Sequence, residues 1–255
     1  MKKYFLIVLW SSILCSCGEA PKKDPASSGL RTPNSEPINI SGYWANVGFM
    51  GKAKAKGLGN VDFYATEMTF DSDSVLIDNG FEAYKLKYEV KDSVCTLYNA
   101  FQGKNLQLTV ENPDFMQFMD SSMNKIHGGD FFNRGLPNGL RFRAMLNENL
   151  LVGKYFAYKK NKRTDKEVEF TRNGEVKGLE EFIHYSICYS GDCISSPLEQ
   201  ANIITLKNQN AEDDDYVWEK NYETGFLKIY KLEPAKADIK GSRKIEKEIL
   251  DLRPN

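Results

Sequence analysis

Histidine is nearly missing from this chain: His127 and His184 are the only two in 255 residues. A metal centre built on several imidazoles has no material here. The Gly-x-Ser-x-Gly elbow, the phosphate loop and the His-Glu-x-x-His helix are absent as well. With them go the sequence signatures of three large groups of hydrolases and nucleotide-binding enzymes. Charge of one sign is also lacking, because 34 Lys and Arg face 35 Asp and Glu for a net charge of −1. A generic nucleic-acid binder needs a basic excess, so nucleic acid is not an expected partner. Beyond residue 14 no stretch is apolar enough to cross a bilayer. The apolar run that does exist, residues 4–14, reaches roughly 16 Å of an approximately 30 Å hydrocarbon layer and is too short to span.

That run has the layout of an export signal: Lys2 and Lys3 precede it, and small residues and Cys17 come after it. Leu14-Cys15-Ser16-Cys17 resembles the lipobox of bacterial lipoproteins, with Cys15 an uncommon occupant of the middle position. The resemblance implies cleavage before Cys17, lipidation of Cys17 and stable anchoring by several acyl chains. Gly18 lacks the acidic character of an inner-membrane retention signal, so the expected location is the outer membrane of a Gram-negative cell, periplasmic or surface-facing. Loss of residues 1–16 removes two lysines and no acid, moving the net charge to −3.

Residues 17–38 read as a flexible tether, since Pro21, Pro25, Pro33 and Pro37 stand among polar residues with little to bury. As a coil it reaches roughly 25 Å on average. Hydrophobic residues make up 41% of the chain and aromatic ones 12%, enough for a real core beyond the tether.

The rest reads as strands, twice over. Tyr84-Lys85-Leu86-Lys87-Tyr88-Glu89-Val90-Lys91 alternates apolar and charged residues without a fault, which marks a strand with one wet face. Ninety-seven residues further on, Ile183-His184-Tyr185-Ser186-Ile187-Cys188 repeats the pattern, aligning Tyr88 with Tyr185. Three more matches keep the order: Gly42-Tyr43-Trp44 with Gly153-Lys154-Tyr155, Phe70 with Phe170, and the Leu140 segment with the Leu227 segment. Collinear matches point to duplication. Turn signals such as Asp78-Asn79-Gly80, Gln102-Gly103 and Asn173-Gly174 punctuate both units and favour antiparallel hairpins.

The Gly-x-Trp opening and these strands resemble the small lipocalin-like domains of bacterial lipoproteins, with Tyr155 replacing tryptophan in the second unit. In that family an arginine of the last strand covers the tryptophan, a part the resemblance gives to Arg141 or Arg143. The expectation is an all-β fold of two repeated antiparallel meander units, small lipocalin-like barrels or sandwiches, with a short C-terminal helix. Its boundaries are 1–16 signal peptide, 17–38 tether, 39–148 first β unit, 149–233 second β unit and 234–255 tail. The helix is expected over residues 239–252, where Ile245, Ile249 and Leu252 share one side.

Three cysteines remain in an oxidising compartment, Cys95, Cys188 and Cys193. Cys188 and Cys193 flank a Tyr-Ser-Gly-Asp turn between paired strands, and a disulfide there would stabilise a hairpin by roughly 2 kcal/mol. The first unit has Lys91 at the matching position, so Cys95 stays free. No metal or other cofactor is expected.

Candidate binding residues come from residues 121–138, which the second unit lacks: His127, Asp130 and Arg134, on a glycine-rich loop with Phe131 and Phe132. The lysine run of residues 52–56 and the acidic run of residues 212–215 read as solvated hairpin tips. No catalytic residue is assigned. The leading reading is an anchored, non-catalytic binding module for an unknown small ligand; the alternative is a protein–protein role at the envelope, as an assembly accessory or inhibitor, and a hydrolytic enzyme is third. A cavity of approximately 300 Å³ separates the first two.

Overall fold

The computed structural model describes residues 38–119, 121–127, 139–190, 201–210, 212–233 and 244–254. Eight antiparallel strands close a first barrel: β1 Gly42–Asn46, β2 Glu67–Phe70, β3 Ser74–Asp78, β4 Ala83–Lys91, β5 Val94–Phe101, β6 Lys104–Asn112, β7 Phe115–Phe118 and β8 Ser121–Ile126. Each strand pairs with its neighbour in sequence, and β8 returns to β1 with Trp44 opposite Lys125. Tyr84, Leu86, Tyr88 and Val90 turn to the barrel core while the lysines between them are exposed, as the alternation of β4 requires. Gln102 and Gly103, at φ of 50° and 76°, make the tight β5–β6 turn whose twist suits a hairpin.

The second unit repeats this plan. Its strands are β9 Gly153–Lys159, β10 Lys162–Phe170, β11 Val176–Lys177, β12 His184–Ile187, β13 Ile203–Lys207, β14 Asp213–Lys220, β15 Leu227–Leu232 and β16 Ile245–Pro254. They form one antiparallel sheet in which β16 pairs with β9. The remaining edges, β11 and β12, meet through a bridge between Glu175 and His184 and the bond from the Val176 amide to the Ile183 carbonyl, 2.9 Å. Edge closure leaves few unpaired backbone groups.

Duplication reaches the side chains. Gly42 lies opposite Phe70 in one barrel and Gly153 opposite Phe170 in the other. Trp44 meets Phe70 edge-on at 6.4 Å, and Tyr155 meets Phe170 edge-on at 6.1 Å. Phe70 then contacts Tyr88 at 5.0 Å, and Phe170 contacts Tyr185 at 5.2 Å. Even the polar tips agree: Trp44 donates to the Ile40 carbonyl and Tyr155 to the Leu151 carbonyl, each four residues back and each at 2.8 Å. Tyr88 and Tyr185 donate to Asp71 and Thr171, the residues after the two phenylalanines. A buried amphipathic aromatic usually finds a partner for its polar tip.

Several expectations are corrected. The C-terminal segment is no helix; Ile245–Pro254 is strand β16, and the second unit therefore runs to residue 254 instead of ending at 233. Strands β15 and β9 each need a partner on that side, and their unpaired amides and carbonyls override the weak helical pattern. The Leu140 segment is no strand either. It opens α2, Leu140–Leu150, which buries Phe142, Met145, Leu146 and Leu150, a helical spacing that four residues of alternation could not reveal. Lys52, Lys54 and Lys56 lie on α1, Val47–Lys56, not on a hairpin tip. The acidic run does flank a hairpin turn, between β13 and β14. Neither expected arginine covers Trp44; Lys125 lies over that ring at 6.0 Å, and Arg141 lies over Tyr43 at 5.0 Å.

Helices α1 and α2 join the two units. Asn46 caps α1 by accepting from the Phe49 amide at 2.8 Å, and Lys54 and Lys56 suit the negative end of its dipole. A 3-10 turn, Leu58–Asn60, continues from α1, and the Leu58 amide donates to Asn202 of the second unit at 2.8 Å. One hydrophobic core runs from Tyr43, Phe49 and Leu58 through Phe142 and Leu146 to Tyr155, Phe170 and Trp218. The first barrel has a separate core around Trp44, Met68, Phe70, Leu97 and Met116. Among the described residues no helix is long and apolar enough to cross a membrane.

Candidate functional site

Each barrel has a floor where the Gly-x-aromatic strand begins and a mouth at the other end. Buried Ile38 and Ile40 close the first floor, and Leu150 and Leu151 of the α2 end close the second. At the first mouth the chain leaves β1, runs through residues 47–66 and returns as β2. Asn46, 1% exposed, fixes both ends of this excursion: its Nδ2 donates to the Ala65 carbonyl at 2.8 Å, and its Oδ1 accepts from Ser121 at 2.6 Å. The return segment is thereby laid across the mouth. Tyr64 donates from its hydroxyl to the Ala100 carbonyl and packs on Phe118 at 5.3 Å.

Between this segment and the β5–β6 and β7–β8 turns lies a pocket of about 270 Å³. Phe63, Tyr64, Phe101, Leu106, Phe118 and Met119 line it, with Asp62 at the rim. Phe101 and Met119 are 52% and 73% exposed, unusual for large apolar side chains, and Phe81 at 72% stands in the β3–β4 turn of the same end. The barrel interiors themselves are filled by their own side chains, Trp44, Met68, Phe70 and Leu97 in one and Tyr155, Phe170, Leu206 and Trp218 in the other. The mouth pocket is smaller than the expected threshold and is apolar; it suits an apolar group more than a whole drug-sized ligand.

A second, polar groove of about 310 Å³ runs between the β3–β4 turn, the start of α2 and Tyr189, with Asp78 and Arg143 in its wall. Beneath it Glu67, 2% exposed, accepts from the Tyr43 hydroxyl at 2.6 Å, from the Gly139 amide and from the Phe142 amide at 3.3 Å. The carboxylate is the N-terminal cap of α2, supplied by a strand because Gly139 has no side chain to do it. Burial pushes the Glu67 carboxyl above its ordinary range, although the donors from Tyr43 and Gly139 pull the other way. Burial and the Glu67 charge push the Tyr43 phenol up strongly. With its oxygens taken by three donors, Glu67 is a structural acceptor. Nothing in Glu67-Met68-Thr69-Phe70 marks it, because the pattern shows an outward strand position and not the helix end that meets it.

Among the predicted site residues, His127 follows β8 at the floor end of the first barrel, across from the pocket. Its Nε2 stands 3.0 Å from Asp114 Oδ1, both side chains being more than half exposed. Residues 121–126, counted with the insertion by sequence, are the closing strand β8. Asp130, Arg134, Cys17 and Cys193 lie outside the described residues. His184 is exposed on the outer face of β12, as expected. Cys95 is a free, fully buried thiol whose pKa burial raises to about 12. Cys188 is buried where β12 ends. Of the expected turn after Cys188, Gly191 and Asp192 lie outside the described residues; Tyr189 is buried and packs on Phe142 at 5.6 Å, and the partner strand β13 begins at Ile203. Among the described residues no group of three His, Cys, Asp or Glu could hold a metal ion.

Comparison with known protein families, with characterised proteins and with solved structures finds no match. The description as two lipocalin-like meander barrels rests on strand order and register alone.

Proposed function

We propose that the chain is an outer-membrane-anchored lipoprotein acting as a non-catalytic binding module, and that the mouth of the first barrel takes an apolar group of its ligand. The observation carrying this reading is the apolar pocket of about 270 Å³ rimmed by exposed Phe101 and Met119. Exposed aromatic and thioether side chains around a cleft are a frequent sign of a contact site. The alternative, a protein–protein role at the envelope, draws on Phe81, which extends the exposed apolar residues beyond the pocket. A disulfide between Cys188 and Cys193 belongs to the same reading of an exported protein.

The fluorescent probe N-phenyl-1-naphthylamine tests the pocket. Wild type should bind it, and the double variant Phe101→Glu, Met119→Glu should not, with stability changed by about 0.5 kcal/mol or less per site because both side chains are exposed. Equal binding by a folded double variant sinks the pocket. If Phe81→Glu alone removes a captured envelope protein while probe binding persists, the alternative takes over. Cys17→Ser should move the protein to the soluble fraction with probe binding intact.

A further inference from the structure

A different group of side chains gathers where α1 meets the floor of the second barrel. Lys54, in the last turn of α1, places its Nζ 5.0 Å from the centre of the Tyr222 ring. Lys220, the last residue of β14, approaches the same ring at 5.8 Å and the Tyr155 ring at 5.6 Å. Its Nζ also donates to the Tyr155 hydroxyl at 3.0 Å, a bond open to it because that hydroxyl spends its own proton on the Leu151 carbonyl. Two ammonium groups therefore approach one tyrosine ring, and among the described residues no carboxylate forms an ion pair with either.

Such a pair is electrostatically incomplete. Like charges close together repel, and half-burial of Lys220 takes away water that would screen them. Aromatic faces offset part of the cost but carry no net negative charge. The lysine responds as expected: burial first, then the Lys54 charge, lowers its pKa from 10.5 to about 8. The arrangement is held in place by parts unrelated to charge. Asn221 Oδ1 accepts from the Thr224 amide at 2.9 Å and shapes the turn that carries Tyr222, while α1 is fixed by its Asn46 cap.

We propose that Lys54 and Lys220 form a binding site for a phosphate-class oxyanion, with Tyr222 as its wall. An oxyanion between the two ammonium groups accepts from both, turns their repulsion into attraction and holds Lys220 in its charged form. The shared chemistry covers free phosphate and the phosphate of a lipid headgroup. This site is independent of the apolar mouth, which lies on the first barrel.

The test is competitive labelling of the full chain by an amine-acylating reagent at pH 8, read peptide by peptide by mass spectrometry. Inorganic phosphate in the millimolar range should slow acylation of Lys220 by about fivefold, the fall in its neutral fraction at pH 8 when a pKa of about 8 rises by one unit. Exposed Lys85 and Lys87 on β4 serve as internal references and should not respond. A second arm replaces inorganic phosphate by a short-chain phosphatidic acid below its micelle concentration; protection at lower concentration than inorganic phosphate assigns the headgroup as the source, and equal protection assigns free phosphate. Lys54→Ala, at an exposed position, should abolish the protection and raise the pKa of Lys220 in phosphate-free buffer. Sodium chloride at matched ionic strength protecting equally well, no protection by either phosphate compound, or protection that survives Lys54→Ala overturns the proposal.

Discussion

The two barrels share strand order, strand direction and an aromatic chain reaching into the core, Trp44–Phe70–Tyr88 in one and Tyr155–Phe170–Tyr185 in the other, yet they part company at the first hairpin. In the second barrel β9 turns into β10 through Lys160 and Asn161, both at positive φ, so this connection is a two-residue turn that adds nothing over the mouth. In the first barrel the same connection holds residues 47–66, including α1 and the Asp62-Phe63-Tyr64 segment of the pocket. The corresponding end of the second barrel has instead an open polar groove beside Glu180, Glu181 and Phe182. A common frame thus supports two different mouths. The frame lies in the floor and core, where side chains are buried and backbone bonds are paired, while the connection at the mouth is free to lengthen.

The equivalence of the aromatic chains is open to the most forceful test. Phe70→Ala and Phe170→Ala should each cost about 3–5 kcal/mol, measured by urea unfolding, because both rings are at most 2% exposed and sit between two aromatic neighbours. A large loss at one site with a negligible loss at the other would break the comparison.

A smaller effect separates the barrels by covalent structure. Non-reducing peptide mapping should find Cys188 joined to Cys193 and Cys95 free, and reduction should cost roughly 2 kcal/mol. A bridge from Cys95 would contradict the burial of its free thiol inside the first barrel.

The subtlest effect concerns the junction. Glu67 has its carboxyl raised above the ordinary value of 4.5, so its folded form holds a proton more tightly than its unfolded form. The stability it contributes is full below the unfolded value and is lost as pH rises through the folded one. Glu67→Gln should flatten the pH dependence of stability in that window, as read by thermal unfolding across an acidic pH series. An unchanged profile would mean that other groups set the pH dependence in that window.

Alternation in residues 84–91, and the spacing between Tyr88 and Tyr185, were enough to read strands, duplication and the inward tyrosines, because a strand with one wet face writes period two directly into its sequence. The glycine pair Gly42 and Gly153 was legible for the same reason: each opens a strand opposite a phenylalanine. Other features depend on neighbours far along the chain. Ile245–Pro254 is a strand because β15 and β9 leave a gap that only an extended segment can fill, and no local pattern records that gap. Leu140-Arg141-Phe142-Arg143 is helical because Glu67 offers the first turn a cap and the shared core takes Phe142. The mouth pocket joins Tyr64 to Phe101 and Phe118, and the lysine pair joins residue 54 to residue 220. Local periodicity determined which segments bury a face; which distant segments met across those faces was decided by closing two barrels and packing two helices between them, since long-range contacts carry no signature in the residues on either side.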